Sequence, residues 1–322
     1  QARRRLAFDE LFLLQIGVLH RKRRWQESRP GIPLNTQRPE LDIFLQSLPY
    51  RLTAGQNKAL QEILADLRKS RPMSRLLQGE VGSGKTVVAA AGLVLTAAEG
   101  LQGALMAPTE ILAEQHLKTL RSIFSGVGEE KVEENVYCYT GFLDRPLKVA
   151  LLMGDLSQAR KRKIQERIAS GDIDILVGTH ALIQKDVEFH KLGLIVVDEQ
   201  HRFGVEQRSA LRQKGINPHV LVMTATPIPR TLALTLYGDL DLSVIDELPP
   251  GRQIIRTRWL KPEQRSSAYA FVRKQVQEGR QAFIICPLVE ESEAIQAKAA
   301  VGEYERLSRE VFPDLHLGLL HG

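Results

Sequence analysis

Cysteine is nearly missing from this chain of 322 residues: Cys138 and Cys286 stand far apart and fit no C-x-x-C spacing. That scarcity excludes a disulfide framework and a zinc site built on paired thiolates, and it suits a reducing, cytoplasmic compartment. Long hydrophobic runs are missing as well. The most apolar early stretch, residues 11–19, is too short to cross a bilayer and is flanked by Asp9, Glu10 and the basic cluster 21–24, so no membrane association is expected. No small-residue cleavage site follows the arginines at 3–5, and tandem repeats and low-complexity segments are absent, which argues against a secretory leader, a solenoid and a disordered tail.

What remains is the composition of an ordinary globular protein, 43% hydrophobic and 25% charged, long enough for two domains. A net charge of +6 and a pI near 9.3 favour a polyanionic partner such as nucleic acid, although many basic proteins bind none. The charge alone leaves both readings open.

The segment GEVGSGKT at 79–86 fits G-x-x-x-x-G-K-[ST] at every fixed position, with Leu76-Leu77 before it and the helix-forming run 87–91 after it. A triphosphate needs dense positive potential without bulky side chains in the way. Gly79, Gly82 and Gly84, with Ser83 between them, let backbone N–H groups approach the phosphates, Lys85 adds a point charge and Thr86 offers a hydroxyl to Mg2+. Far downstream the apolar run 194–197 ends in Asp198-Glu199. A carboxylate at the C-terminal end of a buried parallel strand lies where ligands bind in such sheets. Asp198 would hold Mg2+, directly or through water, and Glu199 would orient or deprotonate the attacking water. A nucleoside triphosphate with Mg2+ is therefore the expected ligand, with Lys85, Asp198 and Glu199 as the catalytic set.

Organisation along the chain supports this. Residues 3–24 read as one helix and 29–39 as a loop broken by Pro30, Gly31, Pro33 and Pro39. Short apolar runs then alternate with helical stretches: 76–77, 104–107, 149–153, 173–177, 194–197 and 220–223. That rhythm predicts a parallel sheet covered on both faces. Residues 126–145, polar and carrying Glu129, Glu130, Glu133 and Glu134, read as a surface insertion or hairpin. Beyond LPPGR at 248–252 the alternation restarts with 254–259, a helix over 263–277, a strand over 282–286 and the apolar run 315–320.

Three further segments, LTAGQ at 52–56, APTEILAEQH at 107–116 and TATPIPRT at 224–231, complete an ordered motif set that resembles superfamily two helicases. The runs RLLQGEVGSGKTVVAAA, LVGTHALIQ, VVDEQHRFGVEQR and FIICPLVEESEA make the region from 48 to 295 similar to the RecG family of branched-DNA helicases. The resemblance implies an α/β fold: a P-loop RecA-like helicase motor domain with a parallel sheet flanked by helices (47–246), the start of a second RecA-like domain (247–322) and an N-terminal helical arm (1–46). It implies that the nucleotide is ATP, that Gln56 reads the adenine, that Glu199 acts in hydrolysis, and that His201, Thr224 and Thr226 couple nucleotide state to DNA. Pro108, Thr109, Gly178, Thr179 and His180 match segments that touch the DNA backbone, with helix capping as the alternative for Thr109 and Thr179. Branched or duplex DNA is the implied partner of a monomeric motor that remodels stalled forks and Holliday junctions.

Two alternatives stand beside this reading: a double-stranded DNA translocase of the transcription-repair coupling type, and a non-hydrolysing nucleotide-binding fragment. The chain begins at Gln1 and stops at Gly322 as if cut, so on its own it is expected to bind nucleotide weakly and hydrolyse it poorly. The basic run 160–163 is as compatible with a solvated helix face as with phosphate contacts. His116 and His190, isolated in sequence, read as structural.

Overall fold

The computed structural model describes residues 30–133, 135–184, 186–198, 215, 217–226, 240–247, 255–285 and 301–320, together with scattered residues of the first 29. The chain divides into two compact units, 1–252 and 253–322.

The first unit is built on a nine-stranded sheet. Its strands are β1 (Ser74–Gly79), β2 (Gln102–Met106), β3 (Glu129–Glu133), β4 (Val136–Tyr139), β5 (Leu147–Leu152), β6 (Ile175–Gly178), β7 (Leu192–Asp198), β8 (His219–Thr224) and β9 (Asp241–Ile245). They lie in the order β3-β4-β5-β6-β2-β7-β8-β1-β9. From β5 to β9 all pairs are parallel. The six apolar runs read from the sequence are β1, β2, β5, β6, β7 and β8.

Parallel strands buried on both faces carry apolar side chains at every position, and alternate residues serve opposite faces. In β7, Leu194 and Val196 join one core while Ile195 and Val197 join the other. The first core is covered by α1 (Pro39–Ser47), α2 (Ala54–Leu67), α3 (Lys85–Ala98) and α4 (Glu110–Phe124). The second is covered by α5 (Gln158–Ala169) through Ile164 and Ile168, and by the turn at 180–183 through Ala181 and Leu182. Helix α3 is buried from Val87 to Ala97, as expected of a helix that is apolar all round.

Two features depart from the expected sheet. Residues 126–145 do hold a hairpin, β3-β4, but it is not a surface insertion: β4 is buried throughout and pairs antiparallel with β5, extending the sheet. Phe44, Phe124, Tyr139 and Phe142 explain why. They pack with ring centroids 5.2–6.0 Å apart, all at most 1% exposed, and fasten α1, α4 and β4 together. Arg145 adds a two-pronged ion pair to the buried Asp174, at 3.0 and 2.5 Å. The second departure is that α1 contributes Leu41 and Phe44 to the first core, so part of the expected arm is integral to this unit.

The second unit contains α6 (Arg265–Gln277) and a π-helical turn, Leu307–Val311. Tyr269 and Phe312 meet edge to face at 5.6 Å, and Arg306 donates to the Tyr269 hydroxyl at 2.7 Å. Residues 282–285, expected as a strand, join no ladder, and neither do 315–320. Residue 286 and the run 287–295 lie outside the described residues.

Candidate nucleotide and nucleic-acid site

Apart from Gln56, which stands in the first turn of α2, the described candidate residues lie at or just after the C-terminal ends of parallel strands, along one edge of the sheet. Strand β1 ends in the phosphate loop. Gly82 and Gly84 adopt φ of +82° and +85°, the left-handed region that an L side chain enters at a cost. A Cβ on Gly84 would also lie 2.2 Å from Gln56 Nε2, and one on Gly79 2.5 Å from Ser83 Oγ. The loop therefore demands glycine for conformation and for space. It delivers the chain into α3, whose first N–H groups have no partner within the helix, with Lys85 at its first position and Thr86 at its second. The Lys85 ammonium donates to the carbonyls of Gly79 (2.7 Å) and Glu80 (3.0 Å).

Gln56 sits against this loop, 3% exposed. Its Nε2 donates to the Ser83 carbonyl at 2.8 Å, and its Oε1 accepts from Thr53 N at 2.9 Å within a capping box that starts α2. The amide thus braces the phosphate loop from below. A primary amide has two donor hydrogens and two lone pairs, so this bracing leaves capacity for an adenine edge.

Asp198 closes β7, and β8 lies between β7 and β1. At about 4.8 Å per strand step, two steps separate Asp198 from the phosphate loop, the span of a few phosphate groups. Thr224 ends the intervening strand, opposite Gln78, and its Oγ1 accepts from Thr226 N at 3.1 Å. The three strands thus present Lys85 and Thr86, Thr224, and Asp198 side by side. Glu199 and His201 lie outside the described residues, as does the remainder of TATPIPRT after Thr226.

The donor set suits a hard divalent cation. A hydroxyl, a carboxylate and phosphate oxygens are what Mg2+ takes in triphosphate sites. Ser83 Oγ, 1% exposed, has no hydrogen-bond partner among the described residues, so the loop also keeps a buried polar atom in reserve. Thr86 and Asp198 are the residues that would hold the ion.

Strands β2 and β6 are neighbours in register, Met106 opposite Gly178, and Ala107 N donates to the Gly178 carbonyl at 2.8 Å. That pairing brings Pro108 and Thr109 beside Gly178, Thr179 and His180. Thr109 caps α4, its hydroxyl accepting from Leu112 N at 3.4 Å; Thr179 makes no such side-chain cap. A Cβ on Gly178 would strike the Leu152 carbonyl at 2.4 Å, so close strand packing by itself requires that glycine. Strand β5 ends next to β6, and Glu110 accepts from Gly154 N at 2.8 Å, which ties a third loop to the group. The basic helix α5 follows that loop, its Lys161 donating to the Gly154 carbonyl at 2.5 Å.

His116, read from the sequence as structural, contacts a candidate site residue. Its Nε2 lies 2.6 Å from Asp198 Oδ2, with both residues buried. The signal was present in the spacing: Ala113, His116, Leu117 and Leu120 form the buried face of α4, and a histidine on that stripe needs a polar partner. His190 is exposed, and its backbone N–H donates to Gln102 Oε1 at 2.8 Å.

Residues 53–235 match the model of the DEAD/DEAH box helicase family. The chain belongs to that family. This DEAD/DEAH box helicase chain is 49% identical over 321 residues to the ATP-dependent DNA helicase RecG of Synechocystis, covering all of the chain and 36% of that relative. It is 48% identical to RecG of Bacillus subtilis, of which it covers 44%. A solved structure of RecG bound to a three-way DNA junction superimposes with a TM-score of 0.79 at 43% identity, over 97% of this chain and 38% of the other. The likeness to RecG runs the whole length of the chain, which itself spans less than half of these relatives.

Proposed function

We propose that this chain is the motor portion of an ATP-dependent DNA helicase of the RecG type, acting on branched DNA in recombination and repair. The observation that carries the proposal is the arrangement of the sheet edge. One group of loops, on β1, β8 and β7, suits a triphosphate, and an adjacent group, on β2, β6 and β5, offers one threonine-capped helix end, a short turn and cations to a phosphate backbone. Under this proposal the RecA-like ATP-binding domain comprises 47–246 with α1 packed into its core, and 247–322 belong to a second RecA-like domain.

In this reading Gly79, Gly82, Ser83, Gly84, Lys85 and Thr86 hold the phosphates through backbone N–H groups and one ammonium. Gln56 sets the loop and meets the adenine. Mg2+, held by Thr86 and Asp198, neutralises charge on the phosphate oxygens when bound. Glu199 orients or deprotonates the attacking water, and His201, Thr224 and Thr226 relate nucleotide state to DNA. Pro108, Thr109, Gly178, Thr179 and His180 contact the backbone of the strand. Likeness to RecG along the whole chain favours branched DNA over the substrate of a transcription-coupled translocase.

The test is ATP turnover by the full-length protein on forked, linear duplex and single-stranded DNA, with Lys85→Ala as control. Turnover stimulated most by forked DNA and abolished by K85A is expected. Turnover indifferent to both would reject the proposal.

A further inference from the structure

The contact between His116 and Asp198 joins the two groups of loops, and nothing in the nucleotide or DNA reading uses it. Helix α4 starts at the Thr109 cap, among the residues assigned to DNA. Seven residues later, about 10 Å along the axis at 1.5 Å per residue, it presents His116 to the carboxylate assigned to Mg2+. The helix between them is anchored by Ala113, Leu117, Leu120 and Phe124, all at most 5% exposed. Its first turn is fixed to the neighbouring loop through Glu110 and Gly154 N. A helix packed in this way moves as a body, because interiors at this density do not deform side chain by side chain.

We infer that His116 is a positioning residue: it orients the Asp198 carboxylate for the metal and makes that orientation depend on whether DNA engages the N-terminal end of α4. This rests on the assignment of Asp198 to the metal and of Thr109 to DNA. In the Nε2–H tautomer the ring would donate to Oδ2 and fix the plane of the carboxylate, and partners of this kind behind a metal ligand commonly govern affinity for the ion. Strand β7, which ends in Asp198, pairs with β2, which leads into α4. The helix and its carboxylate partner therefore sit on adjacent strands, and a small shift of α4 changes the Nε2 to Oδ2 contact directly. Coupling of two ligands through one contact is reciprocal, so DNA must tighten metal–nucleotide binding by the factor with which metal–nucleotide tightens DNA.

The experiment measures binding rather than turnover. Affinity for the non-hydrolysable analogue AMP-PNP is determined with Mn2+ and with EDTA, in the presence and absence of a forked duplex, and bound Mn2+ is followed by electron paramagnetic resonance. In the unaltered protein, forked DNA should tighten Mn–AMP-PNP binding by about fivefold or more. His116→Leu should leave metal-free AMP-PNP binding within about twofold, weaken the Mn2+ contribution by about tenfold, and remove the effect of DNA. His116→Gln, whose amide nitrogen reaches the place of Nε2, should restore both, whereas His116→Asn, one methylene shorter, should not. If His116→Leu fails to fold, the Gln and Asn pair decides the matter.

Unaltered Mn2+ dependence and DNA response in His116→Leu, or equal behaviour of the Gln and Asn variants, would overturn the assignment. Lys85→Ala separates this from failure of the underlying site. If Lys85→Ala loses AMP-PNP binding while His116→Leu behaves like the unaltered protein, only the role of His116 falls. If Lys85→Ala binds normally, the nucleotide site falls and the role of His116 with it.

Discussion

The two halves of the sheet edge are built by different means. Over β1, β8 and β7 the backbone is forced: two glycines at positive φ, no room for a Cβ on Gly84 or Gly79, and a buried glutamine spent on holding the loop. Over β2, β6 and β5 the forced position is within the sheet, at Gly178, while the loops themselves carry a threonine cap at 3.4 Å, a short turn and exposed cations on α5. A site that must enclose one small, highly charged ligand needs preorganised N–H groups at fixed spacing. A surface that follows a sugar–phosphate backbone regardless of sequence needs only helix ends and positive charge. In the proposed function, this difference in construction is what separates a pocket for nucleotide from a track for DNA.

The largest effect that would break this contrast is on the nucleotide side. Lys85→Ala should weaken ATP binding by two orders of magnitude or more, about 2.8 kcal/mol at 1.4 kcal/mol per decade, while changing DNA affinity little; calorimetric titration of both ligands checks it. Gly84→Ala comes next. The strained φ and the clash with Gln56 should lower stability by about 1–3 kcal/mol, read from the urea midpoint, and should lower ATP affinity with it. An alanine tolerated at 84 without either loss would mean that the loop is not preorganised.

Smaller effects are expected on the DNA side. Thr109→Ala should cost about 1 kcal/mol of stability through loss of the α4 cap and weaken forked-DNA binding severalfold, with metal-free ATP affinity unchanged. A loss of stability with unaltered DNA binding would leave Thr109 as a cap only.

The smallest effect comes from the opposite end of β8, far from either ligand. His219 is fully buried, accepting from Met73 N at 3.0 Å through Nδ1 and contacting the Ile32 carbonyl at 2.7 Å through Nε2. Burial pushes its pKa below the usual 6.5, more strongly than the Ile32 carbonyl and Asp66 draw it up. The unfolded chain then binds a proton that the folded chain refuses, so stability is full above about pH 6.5 and declines as pH falls from there toward the folded pKa. Urea midpoints measured from pH 8 to pH 5 should show that decline in the unaltered protein and a flatter profile in His219→Leu. An identical slope in both would remove His219 as the cause.

Much of this architecture is legible in the sequence because buried parallel strands are continuous apolar runs and the phosphate loop has fixed spacing. The hairpin was one of two readings of 126–145, but its burial escaped because it comes from Tyr139 packing on Phe124, a contact between segments that no local pattern announces. Strand β9 escaped for a similar reason: DLSVI alternates weakly, and it is a strand because β1 is beside it. The phosphate-loop residues and Asp198 could be assigned from motif and strand position. His116 could not be assigned as a lone histidine, since its partner is 82 residues away; only its place on the buried stripe of α4 carried a hint.

Hydrogen exchange mapped along the chain tests the division of the sheet edge most directly. Backbone amides at 79–88 should gain protection with Mg2+ and AMP-PNP, whereas those at 107–113 and 178–182 should gain it with forked DNA. Protection of 79–88 by forked DNA and not by nucleotide, or of 107–113 by nucleotide and not by DNA, would contradict the account.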